Sequence, residues 1–130
     1  MKNTLRLSLK KEWFELTKSG IKTEDYREIN SYWIKRLMES IIENIEQSDY
    51  YFAISSLIDG YTQEQVYNIY GVKFKHFDTT ILTLGYPKNT DTERIIEFEN
   101  KGIEIGCGKH EWGAEPDKLY FVIKHGKRIR

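Results

Sequence analysis

The stretch Gly20-Ile21-Lys22-Thr23-Glu24-Asp25-Tyr26-Arg27 sets five charged or aromatic residues directly behind a glycine. Residues 10–19 before it carry Trp13, Phe14 and Leu16 at the apolar positions of a short helix. Gly20 fits the place just past that helix, where a left-handed backbone is unstrained because there is no Cβ. Further upstream, Leu5, Leu7 and Leu9 alternate with Arg6, Ser8 and Lys10, the period of a half-buried strand. Residues 22–29 after the glycine are polar and read as extended. Side chains of an extended segment alternate between faces. Lys22, Glu24 and Tyr26 are therefore expected on one face and Thr23, Asp25 and Arg27 on the other. A carboxylate two residues from a guanidinium can orient it, leaving Arg27 a planar fork for a phosphate, a carboxylate or a base edge. The same composition also suits an exposed, salt-paired edge strand.

Outward from this stretch, Asn30 or Ser31 can cap a second helix. In it Trp33, Leu37 and Ile41 recur every four residues, with Ile34, Met38, Ile42 and Ile45 beside them. Trp13 and Trp33 lie on apolar stripes and are assigned to the core. From residue 48 to 74 the apolar positions keep no clean period. Thr62-Gln63-Glu64-Gln65 has the spacing of a capping box, and Gly71 can stop the short helix that follows. The last third is strand-like. Residues 77–86 end at Gly85 and Pro87. Ile95, Ile96 and Phe98 mark one further strand, Ile103 and Ile105 follow Gly102, and residues 119–125 form a last strand after a loop over 106–117. Strands cluster at the two ends of the chain with helices between. That pattern predicts an α+β fold: one domain over residues 1–130, built as a small, partly closed mixed β-barrel with helices packed outside.

Charged residues make up 31% of the 130 residues and apolar residues 39%, but aromatic residues at 14% supply enough bulk for a core. Lys plus Arg equals Asp plus Glu at 20 each, so a nucleic-acid role would need a local basic patch. Lys124, His125, Lys127, Arg128 and Arg130 form one such cluster, read here as a solvated tail. Cys107 is the single cysteine. No apolar run follows Met1 and none approaches the roughly 20 residues of a membrane helix. A soluble, cytoplasmic protein without a membrane partner is expected.

Leu7-Ser8-Leu9, the helix over 10–19, Gly20-Ile21-Lys22-Thr23 and the closing Arg27 together resemble the signature of the ASCH domain family. The resemblance covers roughly the first 30 residues and the last 55, and marks residues 31–75 as a helical insertion. It implies a PUA-like barrel with a cleft lined by the Gly20–Arg27 segment, and RNA or a modified nucleotide as the partner. Lys22, Thr23, Asp25 and Arg27 are then the ligand-binding candidates. One branch of the family hydrolyses N4-acetylcytidine with a lysine, a threonine and a glutamate. Its lysine maps to Lys22, but Asp25 stands where that branch has its threonine, and no glutamate takes the third role. As an enzyme the chain would rely on Lys22 to stabilise an oxyanion and Asp25 to activate water.

Trp112 adds a candidate on the loop 106–117, either stacking a base or folding back as a lid. His76, His110 and His125 are scattered, and Cys107 with His110 is at best half of a zinc site. Neither a metal nor a cofactor is assigned. Three function classes follow: a nucleotide- or RNA-binding module, a small amidohydrolase acting on a modified nucleoside, and a protein-interaction or self-association module through the helices of 31–75.

Overall fold

A computed structural model describes residues 2–130 of the chain. Its first strand, β1 (Thr4–Leu9), turns Leu5, Leu7 and Leu9 into the core as their period of two requires. Helix α1 (Lys11–Lys18) buries Phe14 and Thr17 and ends at Gly20, whose φ of 85° is the left-handed cap expected from the sequence. Then follow β2 (Glu24–Arg27), α2 (Ser31–Leu37), β3 (Met38–Ser40), α3 (Gln47–Ile58), α4 (Gln63–Tyr70) and β4 (Val72–Phe74). β5 (Thr79–Leu84), β6 (Ile95–Cys107) and β7 (Leu119–Arg128) complete the set, with short 3-10 turns at Thr92–Arg94 and His110–Trp112.

Five strands form one curled sheet, a half-barrel, in the order β1-β5-β6-β7-β2. β1 and β5 run parallel and the other neighbours antiparallel. The fold is therefore mixed α+β. Phe14, Ile34, Leu37, Leu82, Ile96, Phe121 and Ile123 fill its concave side with almost no exposure. Cutting Phe14 back to alanine in such a core removes about 3–5 kcal/mol.

β1 and β2 are the two free edges of the sheet, and arginines close the gap around β1. Arg27 on β2 donates from Nη2 to the Ser8 carbonyl of β1 at 3.0 Å. Arg36 on α2 donates to the Arg6 carbonyl at 2.8 Å. The Trp33 ring lies against both guanidinium groups, 4.8 and 5.0 Å from ring centre to carbon.

Three local expectations change. The helix after Asn30 stops at Leu37 instead of running to Ile45. Met38–Ser40 pairs with Val72–Phe74 instead, a ladder to residues far along the chain that a local period cannot register. Ile41 and Ile42, drawn into the stripe by their spacing, are exposed. Next, residues 47–58 form a full helix; Tyr51, Phe52 and Ile58 are exposed while only Ala53 and Ile54 are buried, so its hydrophobic pattern is blurred. Last, the basic C-terminus is no solvated tail. β7 runs to Arg128, His125 is buried, and Arg130 accepts a hydrogen bond from the Glu97 backbone at 2.8 Å. The Thr62–Gln65 capping box forms in both directions, at 3.1 and 2.9 Å. Gly71 stops α4 with a φ of 68°. No helix among the described residues is long and apolar enough to cross a membrane.

Candidate functional site

The end of α1 decides where Lys22 goes. Ile21 and Lys22 both donate their backbone N–H to the Leu16 carbonyl, at 3.1 and 3.0 Å, so the chain is still wrapping the helix end there. Strand alternation begins only at Glu24. Lys22 consequently turns inward, 2% exposed, rather than sharing a face with Glu24 and Tyr26. Its ammonium donates to the Glu24 carbonyl at 2.6 Å and to Asp25 Oδ1 at 3.3 Å. The expected split of faces holds for the rest of the strand. Glu24 accepts from the Tyr26 hydroxyl at 2.8 Å, and Asp25 Oδ2 accepts from Arg27 Nε at 2.6 Å.

Asp25 thus sits between two cations while 4% exposed. Burial raises its carboxyl pKa, but the charges of Arg27 and Lys22 and the Arg27 hydrogen bond outweigh it and hold the group below the ordinary carboxylate range. Burial lowers the Lys22 amine below the usual lysine value, with Asp25 pulling the other way. Tyr26 is raised, first by burial and further by Glu24. His125, on the neighbouring strand, stacks on Phe98 at 5.4 Å. Neither of its ring nitrogens has a hydrogen-bond partner among the described residues. Burial pushes it down to about 4, against the pull of Asp25. Nothing local in the sequence distinguishes this histidine from the basic residues around it, so its burial is not signalled there.

A cleft of about 250 Å³ opens beside this cluster. Its walls carry Trp13 of α1, Lys22, Asp25 and Tyr26, Trp112 of the 3-10 turn, and Tyr120 of β7. Glu28 and Glu115 line it as well. The loop after β6 closes down on it because glycines permit close contact. A Cβ on Gly108 would lie 2.7 Å from the Tyr26 ring, and one on Gly113 2.9 Å from the Trp13 ring. Tyr26 also receives the Lys109 backbone N–H at 2.9 Å, fixing the loop to β2. Trp112 is 9% exposed with the Lys109 ammonium 4.3 Å over its ring. It forms a lid that still presents to the cleft. Trp13, assigned from its helical position to the core, is half-buried and lines the same cleft.

Three of the sequence-picked residues therefore meet: Lys22, Asp25 and Trp112. Thr23 is exposed and offers its carbonyl to the His125 N–H at 3.0 Å. Arg27 is spent on Asp25 and on Ser8 across the barrel gap. Among the described residues no three His, Cys, Asp or Glu side chains gather as a metal site, and Cys107 is exposed.

The cleft's chemistry is that of an aromatic box with carboxylates. Its three carboxylates are all paired: Asp25 with Lys22 and Arg27, and Glu28 and Glu115 at the rim. Lys118 at the rim bridges Glu28 at 2.6 Å and Glu115 at 3.6 Å. Such aromatic walls suit a planar ring, and the carboxylate oxygens beside them can accept from its N–H groups. Comparison with protein-family models, with curated proteins and with solved structures finds no match to this chain.

Proposed function

We propose that the chain is a nucleobase-binding module of PUA-like, ASCH-type architecture, and that its ligand is a nucleotide or RNA base held in the cleft between Trp13 and Trp112. The observation that carries this is the convergence of two tryptophans and two tyrosines from separate elements on the Lys22–Asp25 pair. Stacking on such rings contributes roughly 1–3 kcal/mol per base. Carboxylates at the wall accept from an exocyclic amine, so cytosine and adenine fit better than uracil. Lys22 and Arg27 support this site by holding Asp25, not by reaching for phosphate. Titration of the intrinsic tryptophan fluorescence with cytidine, adenosine and uridine tests the reading. Saturable quenching by the two amino-bearing nucleosides, weakened in Trp112→Phe, is expected. Equal quenching by all three, or none, removes it.

A second reading is an amidohydrolase on an acylated nucleoside such as N4-acetylcytidine. It draws on the lowered pKa of Lys22, a buried amine at a cleft wall. The low pKa of Asp25 makes it a weak base, so Lys22 is the better candidate for proton transfer. Release of cytidine that is lost in Lys22→Met supports this reading. An unchanged substrate after prolonged incubation with the wild-type protein rejects it.

A further inference from the structure

We infer that a second groove, lined by Lys75, Lys101 and Lys124, is a site for phosphate groups, carried either by a free polyphosphate or by the backbone of a nucleic-acid strand. The groove encloses about 460 Å³ between the connection leaving β4 and the bulged half of β6. Three lysines line it against one carboxylate, Glu104, which Lys124 already neutralises at 3.2 Å. Lys75 lines the groove without an ion pair, its ammonium donating to the Lys35 carbonyl at 2.8 Å outside the lining. Lys101 has neither an ion pair nor a side-chain hydrogen bond among the described residues.

Lys101 is held there by its backbone and its stem. The β6 register shifts twice, between Phe98, Asn100 and Ile103. At that kink Asn100 Oδ1 accepts the Gly102 N–H at 2.7 Å, and Gly102 takes a φ of 112° that side-chain-bearing residues rarely adopt. The aliphatic stem of Lys101 then crosses β7 at Gly126. A Cβ on Gly126 would lie 3.1 Å from Lys101 Cγ, so this strand glycine leaves room for the stem. Phe74 and Phe77, both half-buried, complete the lining. Flat apolar surface beside unneutralised cations is the combination that takes single strands without regard to sequence. A bare polyphosphate would use the lysines alone.

This inference stands apart from the base cleft, and the two can fail separately. The test uses the full chain with two probes, tripolyphosphate and a short fluorescent oligouridylate. Oligouridylate lacks the exocyclic amine proposed for the ligand of the aromatic cleft. Binding of each is measured at about 50 and about 200 mM salt for wild type, Lys101→Glu and Lys101→Arg. Two phosphate contacts on a single strand predict about a sevenfold loss of affinity over that salt range. Lys101→Glu is expected to abolish binding and Lys101→Arg to keep it, with unchanged melting temperatures. Binding of both probes identifies a strand as the source, and binding of tripolyphosphate alone identifies a free polyphosphate. Wild-type affinity in Lys101→Glu overturns the inference, as does failure of the wild type to bind either probe at the lower salt. Addition of cytidine is expected to leave tripolyphosphate binding unchanged; displacement would mean that the anion occupies the base cleft instead.

Discussion

The two pockets of this half-barrel differ in how their charges are committed: paired in the aromatic cleft, partly open in the lysine-lined groove. In the aromatic cleft, Lys22, Asp25 and Arg27 are tied to one another at 2.6–3.3 Å and are largely buried. In the lysine-lined groove, the key cation is held by its backbone and stem and its charge is left open. The first arrangement spends its charges on the fold and offers rings and carboxylate edges. The second leaves the fold indifferent and offers charge. A protein whose net charge is zero thus carries one pocket of paired charges and one with open lysines.

This contrast is sharpest in stability. Asp25→Ala leaves Lys22 buried without its carboxylate and frees Arg27 from its partner, and is expected to cost about 3–5 kcal/mol. Equilibrium urea melts read this directly. A cost below about 1 kcal/mol would show that the ion cluster is not what holds β2 in place.

Acid titration reads the cluster beside the aromatic cleft next. His125 in the unfolded chain takes a proton below about 6.5, while burial in the fold holds it neutral down to about 4. The unfolded state therefore binds more protons over that window, and stability falls as the pH drops through it, by about 3 kcal/mol in total. Asp25 acts lower: its folded pKa lies below its unfolded value, so its contribution is complete above the unfolded value and is lost on further acidification. His125→Leu is expected to flatten the melting-temperature profile between pH 6.5 and 4 and to leave the acid limb below it. A profile unchanged by the substitution would place the titration elsewhere.

Smaller effects test the ligand surfaces. Trp112→Phe keeps an aromatic lid and is expected to weaken cytidine binding by about 1 kcal/mol, the lower end for one stacked base, with little change in melting temperature. Trp112→Ala is a poorer probe, because a side chain only 9% exposed also contributes packing. Smallest of all, Lys101→Glu is expected to change folding stability by less than about 0.5 kcal/mol, measured by the same urea melts. A large loss there would mean that the open lysine has a structural partner after all.

Much of this was legible in the residues. Period-two leucines gave β1, Gly20 and Gly71 marked real helix ends, and Thr62–Gln65 formed its capping box because all of these are local signals. What escaped depends on partners distant in sequence. Met38–Ser40 is a strand only because Val72–Phe74 lies beside it. His125 is buried only because β6 and β2 flank β7. Lys22 left its expected face because the helix end wraps two residues beyond the glycine. Lys22, Asp25 and Trp112 were picked out by composition and resemblance, whereas Trp13 was missed because a tryptophan on an apolar helical stripe reads as core. The lysine groove left no trace, since Lys75, Lys101 and Lys124 are far apart along the chain.

The central claim is that the cleft beside Lys22 takes a base and the lysine groove takes the anion. The most direct measurement is a pair of titrations followed by backbone and indole N–H resonances, one with cytidine and one with tripolyphosphate. Cytidine is expected to move the Trp13 and Trp112 indole signals and leave Lys101 and Gly102 in place, and tripolyphosphate to do the reverse. Movement of the two indoles by tripolyphosphate, or none by cytidine, would contradict it.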